Sequence, residues 1–341
     1  MYVKTGGVPR NSRKMDFAGD YRLRSEVMER YRLRSCLERF PFLLALAALL
    51  LAAPLDALGE KPLTGTLPTL NPRAIALGQT LRASASGTSG LYLNPAVIAM
   101  TPLYHLELMY QYTGKDNMHM GGVSLVDSVT TVVAAGVAFN YSDITEKRTK
   151  HQAFDGRLAI AGGIGNVFYL GATGRYLYLE QNQSESKWGP AGKPALPSSG
   201  SRQVNGFTFD AGAALRLGSI VTLGLVGYNL IPSHSIFAPM DLGTGLSLYL
   251  LSMLLLEANV VIDFTSHDRV NTEIHFGTEL FLAKAVAIRL GYIYDIYYDL
   301  HSLSAGLAYI HPKFSIDLGF MHEVIEDGRW QLGFSFKYFV N

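Results

Sequence analysis

The sequence has a single cysteine among its 341 residues, and that residue, Cys36, lies before the point where we expect the chain to be cleaved. The mature chain then has no thiol, which excludes disulfide cross-links and thiolate catalysis. An excess of one charge is also lacking, since 29 basic residues stand against 28 acidic ones. This balance, together with 48% hydrophobic residues, argues against a disordered chain and against a protein that coats nucleic acid.

Signatures of common enzymes are missing from the sequence as well. It contains no Gly-x-Ser-x-Gly elbow, no phosphate loop and no His-Glu-x-x-His helix. His105 with Glu107, and Glu273 with His275, have the two-residue spacing that places side chains on one face of a strand. The two predicted strands are not neighbours, so these pairs do not predict a metal site. We therefore expect neither an enzyme nor a cofactor or metal centre.

Only one long apolar run is present, at residues 40–55, and it follows a stretch rich in arginine. Its length is short for a membrane-spanning helix, which favours an export signal, although the run is on the long side for the apolar core of one. The small residues Ala57 and Gly59 suit cleavage, so we predict that residues 1–59 are a removed signal peptide and that the mature chain starts near Glu60. An uncleaved single-helix anchor is the alternative.

The remaining chain combines many aromatic and apolar residues with a strict alternation. In the last segment, Leu332, Phe334 and Phe336 share one face, whereas Gln331 and Ser335 share the other. Period two of this kind is typical of strands with one apolar face. Strands of a membrane β-barrel need only about ten residues each, so no segment has to be apolar throughout.

The same alternation predicts fourteen strands in all, an even number as expected for a single-chain bacterial barrel. Connections are very short after even-numbered strands and long and polar after most odd-numbered ones. We therefore predict an all-β fold, a membrane-spanning antiparallel up-and-down β-barrel of about 14 strands over residues 102–341. A soluble β-sandwich would leave large apolar rows exposed. The predicted strands are 102–112, 118–126, 130–140, 155–163, 166–180, 206–217, 220–230, 241–250, 253–263, 270–281, 285–295, 301–310, 313–323 and 330–340.

Charged residues of both signs occupy the polar faces of these strands, which would line the lumen. Charges facing lipid would be costly, whereas charges of opposite sign inside the barrel can pair. We interpret them as a structural network in preference to a set of ligand contacts. The members are Glu107, Arg157, Arg175, Asp210, Arg216, Glu257, Asp263, Glu273, Glu279, Arg289, Asp317 and Lys337.

Residues 60–101 do not fit the strand pattern. The run from Arg73 to Gly78, a small-residue stretch at 83–90, and then Asn94, Pro95 and Ala96 resemble the N-terminal hatch of the FadL-type outer-membrane transporters of hydrophobic compounds. Where that family commonly has acidic residues before the Asn-Pro-Ala element, this chain has Ser, Gly and Thr. Proline restricts itself and the residue before it, so the element suits a rigid stop in a lumen. A disordered linker is the alternative for this segment.

The resemblance implies a fourteen-stranded barrel in the bacterial outer membrane, closed by a hatch, for passive uptake of long-chain fatty acids or other hydrophobic small molecules. The superfamily includes PorV-like barrels, so a secretion or assembly docking barrel without solute transport is the alternative function. An open diffusion porin is disfavoured by the hatch.

Capture of an apolar solute is expected among the long loops at 181–205 and 231–240, where Trp188, Phe237 and Met240 supply apolar surface. Sideways release through the wall is expected near Gly136, in a small-residue stretch of the third strand where a kink or bulge would open a gap. Ordinary packing of these small residues against the hatch is the alternative.

The expected partners are the outer-membrane bilayer, the hydrophobic solute and the barrel assembly machinery during biogenesis. Nucleic acid is not expected as a partner. A closed barrel has no free strand edge, so we expect a monomer.

Overall fold

A computed structural model describes residues 71–114, 117–146, 149–181, 202–232, 238–265, 270–283, 285–325 and 328–340. The predicted signal peptide and the first residues of the predicted hatch lie outside these ranges. Within them, no helix is both long and apolar enough to cross a bilayer.

The strands form one closed antiparallel barrel of fourteen, which confirms the predicted fold class. Each strand pairs with its neighbours in sequence, and the first pairs with the last to close the wall. The strands are β1 (Tyr104–Thr113), β2 (Met118–Asp127), β3 (Ala134–Glu146), β4 (Thr149–Ile164), β5 (Phe168–Gln181), β6 (Arg202–Leu217), β7 (Val221–Tyr228), β8 (Asp241–Leu250), β9 (Leu254–Asp263), β10 (Asn271–Leu282), β11 (Val286–Asp295), β12 (Leu300–Ile310), β13 (Phe314–Glu323) and β14 (Trp330–Phe339).

The two faces of each strand differ as the alternation predicts. In β14, Gln331 and Ser335 are buried inside the barrel, while Leu332 and Phe334 are 40% and 47% exposed on the outside. Outward residues of the other strands include Phe207 at 75% and Leu158 at 65% exposure. The outside of the wall is therefore apolar, and the polar side chains face inward.

Strands β3 and β4 are longer than the apolar pattern predicts. The segment 141–154 was expected to be a loop, but most of it is a hairpin in which Tyr141 pairs with Phe154 and Glu146 pairs with Thr149. The loop prediction is wrong there because β3 and β4 continue to pair through their backbones beyond the last residues that alternate between apolar and polar. Strand β6 likewise begins at Arg202, inside the loop predicted for 181–205.

Several short connections require backbone conformations with positive φ. Leu251 and Ser252, between β8 and β9, both have φ of 54°, and Gly165 and Asn166, between β4 and β5, have 62° and 55°. Two successive residues of this kind are typical of type I′ turns, whose twist matches that of a hairpin. Such turns join the strands tightly at one end of the barrel.

Residues 71–101, here called the inner segment, lie within the ring of strands. They form helix α1 (Pro72–Ala76), a 3₁₀ turn at Gly87–Ser89, helix α2 (Gly90–Leu93) and a second 3₁₀ turn at Pro95–Ala99. Asn71 caps α1, since its side chain accepts a hydrogen bond from the Ala74 amide, and Pro72 occupies the first turn, where no amide is needed. The main hydrophobic core is formed between this segment and the inner wall.

Candidate functional site: the occluded lumen

Glycines on the wall allow the backbone of the inner segment to lie directly against the strands. A Cβ atom at Gly319 would lie 2.2 Å from the Pro72 carbonyl oxygen, and one at Gly291 would lie 2.1 Å from the Gly78 nitrogen. We call these residues the glycine belt, because most of the strands contribute one. The belt consists of Gly136, Gly171, Gly212, Gly224, Gly245, Gly277, Gly291, Gly306, Gly319 and Gly333. The inner segment is therefore fitted to the wall at backbone level.

Gly78, a residue of the hatch resemblance, lies where the inner segment turns sharply after α1. Its φ is +62°, and a Cβ there would be 2.7 Å from the Tyr292 nitrogen. Gln79 and Leu81 also have positive φ. Only glycine combines the left-handed conformation with so close an approach to a strand. The carbonyl oxygen of Gly78 is hydrogen-bonded to His275 Nδ1 at 2.8 Å.

Arg73 joins α1 to the wall. Its guanidinium donates to both carboxylate oxygens of Glu279, with Nη2 at 2.6 Å and Nε at 3.1 Å. The side chains are 11% and 0% exposed, so this is a buried bidentate pair. Burial lowers the pKa of Arg73, but the surrounding carboxylates, Glu279 first and then Asp317 and Glu257, together outweigh burial and the net direction is upward.

The same carboxylate begins a chain of alternating charges along the wall. Arg289 donates to Glu279 at 2.7 Å and also to Asp317, and Lys337 lies 3.1 Å from Asp317 and 3.6 Å from Glu107. We call this set, together with Arg73, the charge ladder. It holds three acids and three bases, and without Arg73 the wall would carry one uncompensated negative charge.

Asn94, Pro95 and Ala96 anchor the far end of the inner segment. The Asn94 side chain accepts from the Ala96 amide at 3.0 Å, which caps the following turn, and donates to the Arg82 carbonyl at 2.7 Å and to the Ala213 carbonyl of β6 at 3.2 Å. Pro95 lies against Gly171 of β5. A rigid Asn-Pro step thus ties two stretches of the inner segment to the wall.

The small-residue stretch of the inner segment bonds to two acidic residues of the wall. Thr88 donates its hydroxyl to Glu107, and Ser84 donates to Glu257. Glu257 also accepts from the Ala83 amide at 2.9 Å. Both carboxylates are almost fully buried. Donors of the inner segment bind both oxygens of Glu257 but only Oε2 of Glu107, whose Oε1 lies 3.6 Å from Lys337.

A second buried network lies on β4, β5 and β6. Asp155 accepts from Arg157 at 2.7 Å and from Arg175 at 3.0 Å, and Asp210 lies 4.0 Å from Arg157. Arg157 also donates to the Leu91 carbonyl at 3.0 Å, and its guanidinium lies over the Tyr92 ring of α2.

The outer mouth of the lumen is acidic on one side. Asp241 is paired across the strands with Asp263, and Glu273 with Asp295. Glu273 is 3.1 Å from His275. At the opposite end of the lumen, Arg216 donates to the Met100 carbonyl at 3.0 Å.

Gly136, the predicted position of a lateral gap, lies in continuous sheet. It pairs with Val126 of β2 on one side and with Ala159 of β4 on the other, and neither register is interrupted by a bulge. A Cβ at this position would lie 2.6 Å from the Leu91 side chain. The wall is closed here because the small residue makes room for the inner segment and does not interrupt the pairing.

Of the predicted capture residues, Trp188 and Phe237 lie outside the described residues. Met240 lies just before β8, and its amide donates to the Thr265 hydroxyl at 2.8 Å. The neighbouring Ala238 is buried.

Sequence reasoning missed Arg82 and Asn259, which join the inner segment to β9. Arg82 donates to Asn259 at 3.2 Å and to the Gln79 carbonyl at 2.6 Å. Asn259 lies two residues from Glu257 on the inward face, so strand alternation was the signal that placed it in the lumen. Thr88 carried no such signal, because the path of the inner segment determines its neighbour.

No protein-family model matches the sequence, and no curated protein matches it. Solved structures do match. The CymD monoaromatic hydrocarbon channel has a TM-score of 0.62 at 13% identity, covering 80% of this chain and 98% of that chain. The Ralstonia pickettii toluene transporter TbuX gives 0.59 at 12%, covering 82% and 99%. A Pseudomonas aeruginosa FadL homologue gives 0.58 at 14%, covering 81% and 99%.

Proposed function

We propose that this chain, whose barrel has the FadL-type fold, is an outer-membrane channel for passive uptake of hydrophobic small molecules. In this proposal the inner segment is the gate. Long-chain fatty acids and other apolar compounds are the candidate cargo.

The apolar outside of the wall supports placement in a bilayer. Outward aromatic rings also cluster towards the ends of the strands that the longer connections join. Tyr112 lies 5.2 Å from Trp330, Tyr176 lies 5.0 Å from Phe207, and the Tyr294 ring stacks on His301 at 4.7 Å. Aromatic girdles of this kind mark the interfaces of outer-membrane barrels. An exposed surface of this composition would make a soluble protein aggregate.

The proposal that the inner segment is the gate rests on one observation, the close fit of this segment to the glycine belt. A general diffusion pore needs an open aqueous lumen, whereas here backbone lies against backbone at Gly319 and Gly291. A solute can pass only if the segment shifts. Such a shift would break the hydrogen bonds of Arg73 and Asn94 to the wall and separate the apolar contacts of the core.

For the path of the solute we propose capture at the outer loops, with Trp188, Phe237 and Met240 as apolar contacts, followed by entry above the inner segment. For release we propose separation of β2 from β3 beside Gly136. Because Leu91 fills the space at Gly136, this step requires α2 to move first.

The proposal is tested by identifying what the protein carries. The full chain is extracted from outer membranes in mild detergent, and copurifying small molecules are analysed by mass spectrometry. A variant lacking residues 71–101 is the comparison, with folding of both checked by heat-dependent migration on gels.

We expect fatty acids or other apolar compounds to be enriched with the intact protein and to be depleted in the deletion variant. Enrichment of no apolar compound, together with a stoichiometric protein partner, would contradict uptake and support the secretion or assembly docking barrel.

A further inference from the structure

Buried polar atoms without hydrogen-bond partners occur around the lumen, and several of them lie on two adjacent strands. Among the described residues, Gln111 Oε1, Gln331 Oε1 and Ser335 Oγ have none, and these side chains are from 0 to 2% exposed. All three lie on the inward faces of the adjacent strands β1 and β14, where Gln111 pairs with Gly333 and Met109 pairs with Ser335. The three side chains therefore lie on one surface of the wall, on which Ile75 of the inner segment packs against Gly333, between Gln331 and Ser335.

A buried polar group without a hydrogen-bond partner destabilises the fold. Apolar residues of similar size would avoid this destabilisation. We therefore interpret the three polar side chains on one surface as groups that serve binding. Gln111 has one weak contact, from Nε2 to the Thr113 hydroxyl at 3.5 Å. Exchange of the amide oxygen and nitrogen would leave a donor free in place of an acceptor. A ligand group that can both donate and accept a hydrogen bond, such as a hydroxyl, would bind Gln111 in either orientation of its amide.

Methionines surround these atoms. Of the seven methionines that follow residue 99, four are buried on the inward faces of β1, β2 and β13. Thioether side chains are flexible and polarisable, so they repack around an apolar body and contact aromatic rings favourably. We call this surface the methionine–amide face. It comprises Met109, Gln111, Met120, Met321, Gln331 and Ser335, with Met118 beside it.

The charges next to this face are already paired. Lys337, on the same strand as Ser335, lies 3.1 Å from Asp317 and 3.6 Å from Glu107. Arg329, just before β14, lies 3.3 Å from Glu323. A carboxylate arriving here would have to compete with those acids for a cation. A neutral group would not.

From this arrangement we propose that the methionine–amide face binds an apolar compound that carries a neutral hydroxyl group, such as a phenol or an alcohol, in preference to a carboxylate. The hydroxyl bonds to Gln111, Gln331 or Ser335, and the apolar body lies among the methionines. This inference rests on the proposed function, because it defines the class of solute that the lumen selects.

The test uses three ligands of one shape: naphthalene, 2-naphthol and 2-naphthoate. Binding of each radiolabelled compound to the full chain in detergent is measured by equilibrium dialysis, with protein-free detergent subtracted. The variants are Gln111→Leu with Gln331→Leu, and separately Ser335→Ala. The matched control is Thr173→Val, because Thr173 on β5 is also fully buried with an unsatisfied hydroxyl but lies on another part of the wall.

We expect the wild-type chain to bind 2-naphthol about three- to tenfold more tightly than naphthalene, and 2-naphthoate more weakly than 2-naphthol. The double variant should bind 2-naphthol and naphthalene equally, Ser335→Ala should reduce the preference in part, and Thr173→Val should keep it.

Equal binding of 2-naphthol and naphthalene to the wild-type chain, tightest binding of 2-naphthoate, or a preference that survives the double variant would overturn the inference while leaving uptake of apolar compounds intact. Binding of none of the three would contradict the proposed function as well.

Discussion

At the scale of single residues, the lumen depends on buried charges whose partners come from different strands and from the inner segment. Strand alternation predicts that Glu279, Arg289 and Asp317 face inward, but not which of them meet. Their order in the charge ladder follows from small residues on β12, where Gly306 and Ala308 leave room for longer side chains to reach across. The pairing of Arg73 with Glu279 depends on the path of the inner segment, which no local pattern specifies.

The charge ladder predicts strong coupling between Arg73 and Glu279. Arg73→Ala leaves three acids with two bases and should lower the free energy of unfolding by about 3 kcal/mol, as measured by urea titration in lipid vesicles. Glu279→Gln combined with Arg73→Ala restores the balance of charge and should recover part of that loss. Losses that simply add in the double variant would show that the two side chains do not act as a pair.

At the scale of elements, the strands were predictable and the inner segment was only partly so. The fourteen strands can be predicted from the alternation of apolar and polar residues, because each strand has one face in apolar surroundings. The outer ends of β3 and β4 were missed because polar residues there continue the hydrogen bonding without an apolar face. The hatch motif located Arg73, Gly78 and Asn94, but the glycines that receive it are scattered along the strands and have no sequence signal of their own.

The fit of α1 against β13 gives a prediction about the gate. Gly319→Ala places a methyl group 2.2 Å from the Pro72 carbonyl oxygen and should displace α1, which raises the ion conductance of the protein in planar bilayers. Gly121→Ala on the outward face of β2 is the control, because nothing lies within 4 Å of its Cβ. If both variants conduct like the wild type, the inner segment is not what closes the lumen.

Release through the wall is tested by fixing two strands together. Leu125 and Val137 are paired outward residues of β2 and β3, close to Gly136, and cysteines at directly opposed positions are within disulfide reach. The oxidised Leu125→Cys/Val137→Cys variant should lose solute uptake at least tenfold and regain it on reduction.

The control is a disulfide that joins β13 to β14, formed in the variant Leu318→Cys/Phe334→Cys at another outward pair. Its oxidation should leave uptake unchanged. Unchanged uptake after oxidation of the Leu125→Cys/Val137→Cys variant would exclude release beside Gly136.

At the scale of the whole molecule, a closed barrel with an apolar exterior surrounds the inner segment, residues 71–101. The sequence allowed this architecture to be predicted, because strand count, loop lengths and the hatch resemblance all pointed to the same fold. It did not show how completely the lumen is filled, since that depends on contacts between residues as distant as Pro72 and Gly319.

Uptake by intact cells tests the central claim most directly. A lipopolysaccharide leaflet slows apolar solutes, so the initial uptake rate of a labelled hydrocarbon is measured in cells that lack their own channels of this kind, with and without the protein. We predict a severalfold faster and saturable uptake that persists when the proton gradient is collapsed. A rate equal to that of cells without the protein would contradict the account.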